Sequence, residues 1–292
     1  MWLLVLLMVA DSTRAFKVAV AAAESVRVTV AGSGDPIVLV PGLFGSAYGF
    51  RNVIPALRAA GYRAIVIEPL GIGGSGRPER ADYSLTAQTN RIAAALDTLG
   101  VAGAIVVAHS VGASMAYRLA YRRPDLVRGL VSLDGGPAEA AATRGFRRAM
   151  RFAPWIKLFG GVRLIRRKIR NSLIAASGDT SWVDAAVVDA YTAGAAADLD
   201  GTLKAYLRMA QAREPERLEP HLGEIRCPVR LVVGTAPHDG GIQQRELLLL
   251  RRTVASFVVD TVVGAGHFLY EERPGVVLAA VRRLVSGFPR VD

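Results

Sequence analysis

The chain has 292 residues, enough to bury a large hydrophobic core, and this length fits one catalytic domain with an insertion. Hydrophobic residues make up 51% and charged residues 21%, a balance that excludes an intrinsically disordered chain. The formal net charge of +11 favours nonspecific contact with nucleic acid, but no nucleic-acid-binding motif accompanies it, so we expect no specific nucleic-acid partner.

The N-terminal segment begins with an apolar run, residues 2–10, which is shorter than the roughly 18 residues needed to span a bilayer. The alanines at 21–23 are small residues of the kind found at a signal-peptidase site, although the basic residues Arg14 and Lys17 interrupt the path to them. We therefore interpret residues 1–23 as a signal peptide or an apolar N-terminal segment. A signal peptide predicts an exported protein, periplasmic or secreted, and the alternative predicts a cytoplasmic one.

Short strands and helices alternate along the rest of the chain, which predicts a mostly parallel sheet with helices on both faces. The strands are predicted near 26–30, 37–40, 63–67, 104–108, 128–133, 229–233 and 257–263. The helices are predicted near 46–60, 84–99, 111–122, 243–254 and 275–286. A long, charged and helical stretch from residue 135 to about residue 222 interrupts this alternation.

A serine stands at the tip of the turn between the fourth predicted strand and the helix that follows it. The run Ala108-His109-Ser110-Val111-Gly112 matches the nucleophile-elbow pattern G-x-S-x-G, with alanine in place of the first glycine. Small residues at both ends of this run allow the strand and helix backbones to approach closely. The pattern predicts that Ser110 has a strained backbone conformation and an exposed hydroxyl.

Three further motifs each follow a predicted strand, in an order that fits this turn. They are Pro41-Gly42-Leu43-Phe44-Gly45-Ser46, Glu68-Pro69-Leu70-Gly71-Ile72-Gly73-Gly74-Ser75 and Gly264-Ala265-Gly266-His267-Phe268. Together the four motifs resemble those of the α/β-hydrolase superfamily, in its serine-nucleophile, esterase- or lipase-like branch with a cap domain, over roughly residues 26–288. The resemblance implies an α/β-hydrolase fold, a mostly parallel sheet flanked by helices, with a helical cap inserted after the sixth strand.

The resemblance also divides the chain into a core and a cap. Residues 24–134 and 223–292 would form the α/β-hydrolase core, and residues 135–222 would form the helical cap or lid. Three residues depart from the superfamily's pattern, since Pro41 replaces the usual histidine, Glu68 the usual aspartate and Ala108 the usual glycine. That histidine mostly supports the oxyanion loop, whose backbone donors could survive its loss.

The resemblance further implies which residues carry the chemistry. Ser110 would be the nucleophile, and His267 would be the base that takes its proton and later passes it to the leaving group. The oxyanion of the tetrahedral intermediate would be bound by the backbone N–H groups of Leu43 and Val111.

The acid of the triad is open between two aspartates. In the superfamily the acid usually follows that fold's seventh strand, three residues after a glycine. Here the corresponding strand, predicted near 229–233, ends at Gly234, and position 237 is proline. Asp239, two residues further on, is the first choice. Asp134 follows the strand predicted near 128–133, which corresponds to the superfamily's sixth, and is the alternative, because some members of the superfamily carry the acid there. Both preserve the order serine, aspartate, histidine.

These roles predict a serine hydrolase that cleaves a carboxylic ester, or a related acyl bond, through an acyl-enzyme on Ser110. Haloalkane dehalogenases and epoxide hydrolases of this fold use an aspartate nucleophile, so the serine disfavours both. One alternative is a carbon–carbon hydrolase or perhydrolase of the same fold. Another is a non-catalytic, receptor-like domain that binds a small hydrophobic ligand under the cap, which Pro41 and the displaced acid favour.

The expected partner is a small, hydrophobic acyl substrate, with no cofactor and no metal. The single cysteine, Cys227, excludes an internal disulfide framework, and the sequence has no clustered set of histidines and cysteines.

A basic stretch in the predicted cap bears on a second partner. Between Arg144 and Arg170 basic residues are interleaved with aromatic and aliphatic ones, and acidic residues are absent. A basic amphipathic helix of this kind can lie on an anionic membrane surface. It can equally pack its apolar face over the active site and leave its arginines in water, and this second arrangement is the one we expect.

Overall fold

The computed structural model describes residues 13–142, 144–150, 161–238 and 240–288. Its strands are β1 (Arg14–Ala21), β2 (Glu24–Ala31), β3 (Pro36–Val40), β4 (Arg63–Glu68), β5 (Ala104–His109), β6 (Val127–Leu133), β7 (Val229–Gly234) and β8 (Phe257–Val262). They form one sheet in the order β1-β2-β4-β3-β5-β6-β7-β8. β2 pairs antiparallel with β1 and with β4, and all other neighbours are parallel. The prediction of a mostly parallel sheet is confirmed.

The helices of the described ranges alternate with the strands. They are α1 (Ile54–Ala59), α2 (Leu85–Thr98), α3 (Val111–Arg122), α4 (Arg144–Met150), α5 (Gly161–Ala175), α6 (Ala185–Ala197), α7 (Leu199–Gln211), α8 (Gln244–Thr253), α9 (Leu269–Glu272) and α10 (Gly275–Val285). The single helix predicted near 46–60 is instead a 3₁₀ helix, Ala47–Phe50, followed by α1. Pro55 marks this new start, because proline lacks an N–H and is favoured in the first turn of a helix.

Both faces of the sheet are covered by helices, as predicted. In β3, Ile37 and Leu39 pack in the layer that contains α1 and α10, and Val38 and Val40 pack in the opposite layer with α2 and α3. All four side chains are buried, because a parallel strand covered on both faces is apolar on both faces. β3, β5 and β6 are parallel neighbours, so their carboxyl ends lie together at one end of the sheet. This is the end at which α/β proteins bind their ligands.

The strand β1, at the antiparallel edge of the sheet, is absent from the predicted elements. Its sequence lacks the alternation of apolar and polar residues that predicts a strand, and only one of its side chains, Val18, is buried. The predicted N-terminal segment therefore belongs to the sheet from residue 14 onwards, and its residues 1–12 lie outside the described residues.

The helices α4 to α7 lie between β6 and β7, together with a second 3₁₀ helix, Glu219–Glu224; we call residues 135–224 the helical insertion. It occupies the place at which the cap was predicted. Ile169 and Leu173 of α5 are buried against α6, whereas the basic residues of α5 at 166–168 and 170 are exposed. This packing accounts for the apolar residues of α5, and residues 151–160 of the basic stretch lie outside the described residues. Within the described ranges, no helix has the length and apolar character needed to cross a membrane.

Candidate active site

The turn between β5 and α3 holds Ser110 in a strained conformation. Its φ is 53° and its ψ is −124°, in the left-handed range that residues with a Cβ rarely adopt. The turn is fixed on both sides, since the N–H of Ser110 donates to the carbonyl of Leu133 (3.1 Å) and its own carbonyl accepts from the N–H of Ala113 (2.9 Å). Ser110 is partly exposed, which leaves its hydroxyl accessible at the end of the sheet.

Two glycines permit this turn because other backbones pass close to them. A Cβ on Gly112 would lie 2.7 Å from the carbonyl oxygen of Pro41 and 2.8 Å from that of Val40. A Cβ on Gly135 would lie 2.5 Å from the carbonyl oxygen of Ser110. The second of these glycines follows β6, so the end of β6 is held directly against the serine turn.

The substitution Gly112→Ala is expected to lower the free energy of unfolding by about 1–3 kcal/mol, because the Pro41 backbone would have to move. Gly275→Ala is the matched control, since a Cβ there meets nothing within 4 Å and the position starts α10. Urea unfolding of both variants measures the difference. Equal stability of the two variants would contradict the close approach.

The predicted oxyanion residues Leu43 and Val111 both have free donors. Within the described part of the chain, neither backbone N–H has a hydrogen-bond acceptor. The loop that contains Leu43 lies beside the nucleophile, because a Cβ on Gly42 would be 3.1 Å from the Cβ of Ser110. The carbonyl of Leu43 accepts a hydrogen bond from the hydroxyl of Tyr206 in α7 (3.0 Å), which ties this loop to the helical insertion.

Glu68, which replaces the superfamily's usual aspartate, fixes the other end of the same loop. Its buried carboxylate accepts from the N–H of Ala47 (2.8 Å) and from the N–H of Gly74 (2.5 Å). Burial raises the pKa of Glu68, and the two backbone hydrogen bonds oppose this shift. The longer side chain thus spans the gap between the oxyanion loop and the turn after β4.

The raised pKa of Glu68 predicts a pH effect on stability. The folded state favours the protonated carboxyl, so this group's contribution is fully present below the unfolded pKa and is lost as pH rises through the folded value. The difference in unfolding free energy between the wild type and Glu68→Gln is therefore expected to fall as the pH rises through that range. Urea unfolding of both proteins from pH 4 to 7 measures it, and a rising difference would contradict the shift.

His267, in the loop between β8 and α9, is paired with the alternative acid. Its Nδ1 lies 2.6 Å from Oδ2 of Asp134, which follows β6 and is 2% exposed. The N–H of Asp134 donates to the carbonyl of Val232 in β7 (2.8 Å), and its φ of 48° turns the chain sharply there. The N–H of His267 donates to the carbonyl of Ala176 in the helical insertion (2.7 Å). Asp239, the first choice from the sequence, lies outside the described residues.

A second histidine, which sequence reasoning left without a role, also contacts this aspartate. Nε2 of His238 lies 2.7 Å from Oδ2 of Asp134. His238 stands in the loop after β7, where the superfamily usually carries its acid, and that position was the signal in the sequence. The structure therefore brings together Asp134, His238 and His267, whose ligating atoms all lie within 4.8 Å of one another.

His109 links the serine turn to the histidine loop. The centroids of the His109 and His267 rings are 4.5 Å apart, and the Nε2–H of His109 donates to the carbonyl of His267 (2.9 Å). Burial, followed by the charge of His267, lowers the pKa of His109 well below its usual value, so this ring is uncharged. The residue before Ser110 thus fixes the backbone of His267.

A cavity of about 1210 Å³ lies between the oxyanion loop and the helical insertion. Phe44, Tyr48 and Phe146 contribute to its walls, and Arg27 and Arg77 contribute cations. Neither Ser110 nor His267 is among its described lining residues. The ring of Phe44, which follows the proposed oxyanion donor, packs edge-to-face on Phe146 with centroids 5.9 Å apart. The cavity therefore reaches the segment that directly follows Leu43.

Comparisons with known proteins agree with the fold. Residues 35–159 match the sequence profile of a family described as alpha/beta hydrolase fold. An epoxide hydrolase B from Mycobacterium tuberculosis is 36% identical over 103 residues, which are 35% of this chain and 29% of that protein. An uncharacterized hydrolase from Bacillus subtilis is 25% identical over 243 residues, which are 82% of this chain and 86% of that one.

The fold is also found among solved structures. The structure of epoxide hydrolase CorEH without ligand superposes with a TM-score of 0.76 and 21% identity, covering 94% of this chain and 99% of that one. At this identity the likeness concerns the fold alone. The chain covers 29% and 34% of the length of the curated epoxide hydrolases it matches from Mycobacterium tuberculosis and Caballeronia sordidicola.

Proposed function

We propose that this chain, which has an α/β-hydrolase fold and matches that family's profile over residues 35–159, is a serine hydrolase that cleaves a carboxylic ester through an acyl-enzyme on Ser110. The observation that carries this proposal is the hydrogen-bonded pair of His267 and Asp134 at the same end of the sheet as a serine held at positive φ. Strain of this kind persists only where the surrounding structure imposes it, and it is concentrated at functional sites.

The proposed reaction begins when Oγ of Ser110 attacks the carbonyl carbon of the ester. Its proton moves to Nε2 of His267, while Nδ1–H of the same ring donates to Asp134 and stabilises the imidazolium. The N–H groups of Leu43 and Val111 bind the developing oxyanion. When the intermediate collapses, Nε2 passes the proton to the leaving alcohol; water then repeats these steps on the acyl-enzyme and releases the acid.

The serine at the tip of the turn argues against the activity of the matched epoxide hydrolases. Epoxide hydrolases of this fold attack with an aspartate, and this chain has a serine there. A serine acyl-enzyme, by contrast, needs a base and two free backbone donors. His267 can act as the base, and the N–H groups of Leu43 and Val111, which have no acceptor among the described residues, can act as the donors.

We further propose that the acyl group is hydrophobic. Phe44, which follows the proposed oxyanion donor Leu43, packs on Phe146 and on Tyr206 at centroid distances of 5.9 and 5.5 Å, and all three rings line the cavity. A hydrophobic acyl chain would bury this apolar surface, which contributes about 25 cal/mol for each Å² buried.

A series of p-nitrophenyl esters of increasing acyl length tests both proposals. We expect a rapid, stoichiometric burst of p-nitrophenol followed by slower turnover, with kcat/KM rising from acetate towards medium-length chains. Ser110→Ala should abolish the burst. A folded protein that shows neither burst nor turnover, or that opens an epoxide and leaves every ester intact, would contradict the proposal. Saturable binding of the esters without turnover would favour the receptor-like alternative.

A further inference from the structure

His238 makes two short polar contacts with its ring. Nδ1 lies 2.7 Å from the carbonyl oxygen of Ala236, and Nε2 lies 2.7 Å from Oδ2 of Asp134. The side chain is 8% exposed, so water cannot easily replace either contact. The loop also folds over the ring, because a Cβ on Gly241 would lie 2.7 Å from Nε2.

These contacts determine where hydrogens must lie. A carbonyl oxygen only accepts, so Nδ1 of His238 carries a hydrogen. The contact between Nε2 and the carboxylate of Asp134 then needs a second hydrogen, and the contact between Asp134 and Nδ1 of His267 needs a third. An ionised aspartate and two neutral imidazoles supply only two of these, because Nε2 of His267 must be bare to act as a base. The group of three therefore holds one more proton than an ordinary triad.

We propose that His238 is a positioning residue of the active site, and that its additional proton, shared with Asp134, holds this carboxylate in place for His267. The proposal deepens the proposed function, on which its catalytic part rests. The proton lies in the contact between Nε2 of His238 and Oδ2 of Asp134. In the arrangement with an imidazolium, His238 donates to both Asp134 and Ala236 and anchors the loop after β7 to the end of β6.

Other charged groups near His238 are few among the described residues. From β6 it faces Asp134, and from the loop after β8 it faces His267, whose ring centroid is 5.8 Å away. His109 lies behind His267 and is uncharged. Glu246 of α8 lies against Gly136, because a Cβ on Gly136 would be 2.6 Å from Oε2 of Glu246. The carboxylate of Glu246 accepts a hydrogen bond from the N–H of Gln243. Asp134 is thus the anion that directly contacts the additional proton.

The need for both hydrogens has a definite consequence for the site. A side chain at position 238 that donates only one hydrogen bond cannot hold Asp134 and Ala236 together, because both of these groups accept. We therefore expect such a change to loosen the carboxylate of Asp134 from the position that orients His267, and so to lower kcat.

Two measurements test this role, and the first is independent of activity. The chain has four histidines, so long-range ¹H–¹⁵N spectra of protein labelled in its imidazole rings resolve each ring's state. With assignment from His238→Gln, we expect both nitrogens of His238 to carry the signature of a doubly protonated or proton-sharing ring at pH 7. A neutral ring with one fully bare nitrogen would overturn the proposal, whether or not the protein hydrolyses esters.

The second measurement separates the effects on kcat and on KM for ester hydrolysis. Glutamine at 238 can donate to Asp134 but cannot donate to Ala236 as well, so His238→Gln should lower kcat about 10- to 100-fold with little change in KM. His221→Gln is the matched control, because His221 pairs with Glu216 and Glu224 away from the site and should leave kcat and KM unchanged. A folded His238→Gln protein with the wild-type kcat, or with a loss in KM alone, would overturn the positioning role.

Discussion

Replacing Ser110 with alanine is expected to lower kcat for ester hydrolysis on the order of 10⁶-fold, because the other groups of the site cannot act without the nucleophile. The expected loss is in kcat with little change in KM, since the hydroxyl makes no separate contribution to binding the ester. Ser286→Ala, an exposed serine beyond α10, is the matched control and should keep the wild-type rate. Activity of Ser110→Ala within tenfold of the wild type would contradict the proposed acyl-enzyme.

The strain at the same position gives this prediction a second readout. Glycine adopts positive φ without penalty, so the free energy of unfolding of Ser110→Gly should be about 1 kcal/mol higher than that of Ser110→Ala. Urea unfolding of the two variants measures this difference. Both variants should be inactive. Equal stability of the glycine and alanine variants would show that the turn stores no strain.

The substitution Asp134→Asn should cost on the order of 10⁴-fold in kcat, because the amide no longer holds His267 in the tautomer with a bare Nε2. The change is nearly isosteric, so the fold should persist and KM should change little. His238 would lose its anionic partner in the same variant, and this second effect should lower kcat further.

Asp239→Asn is the matched comparison, since Asp239 is the acid that the sequence favours. With Asp134 as the acid, the Asp239 variant should keep kcat within about tenfold of the wild type, because Asp134 already orients His267. A loss of 10⁴-fold in Asp239→Asn together with a small loss in Asp134→Asn would reverse the assignment.

Much of the fold was predictable because it depends on local patterns. Apolar runs such as Ile37-Val38-Leu39-Val40 are buried on both faces, and the small residues around Ser110 are typical of a tight turn between a strand and a helix. The edge strand β1 was not predictable in the same way. Its pairing with β2 is made by backbone hydrogen bonds, and only Val18 is buried, so its side chains carry little of the signal.

The choice between the two aspartates could not be made from the sequence, because it depends on which loops meet in space. Asp134 and His267 are separated by 133 positions, and the contact exists because β6, β7 and β8 are neighbours in the sheet. The role of His238 has the same origin. Its loop has the position of the superfamily's acid, yet it directs a histidine to a carboxylate supplied by the neighbouring strand.

The central claim is that Ser110 is an activated nucleophile, and covalent labelling tests it most directly. Purified protein would be treated with a fluorophosphonate probe and the adduct mapped by mass spectrometry, with Ser110→Ala as the control. The account predicts prompt labelling at Ser110, slower labelling in Asp134→Asn, and none in Ser110→Ala. Well-folded wild-type protein that takes up no probe, or labelling at another serine that persists in Ser110→Ala, would contradict it.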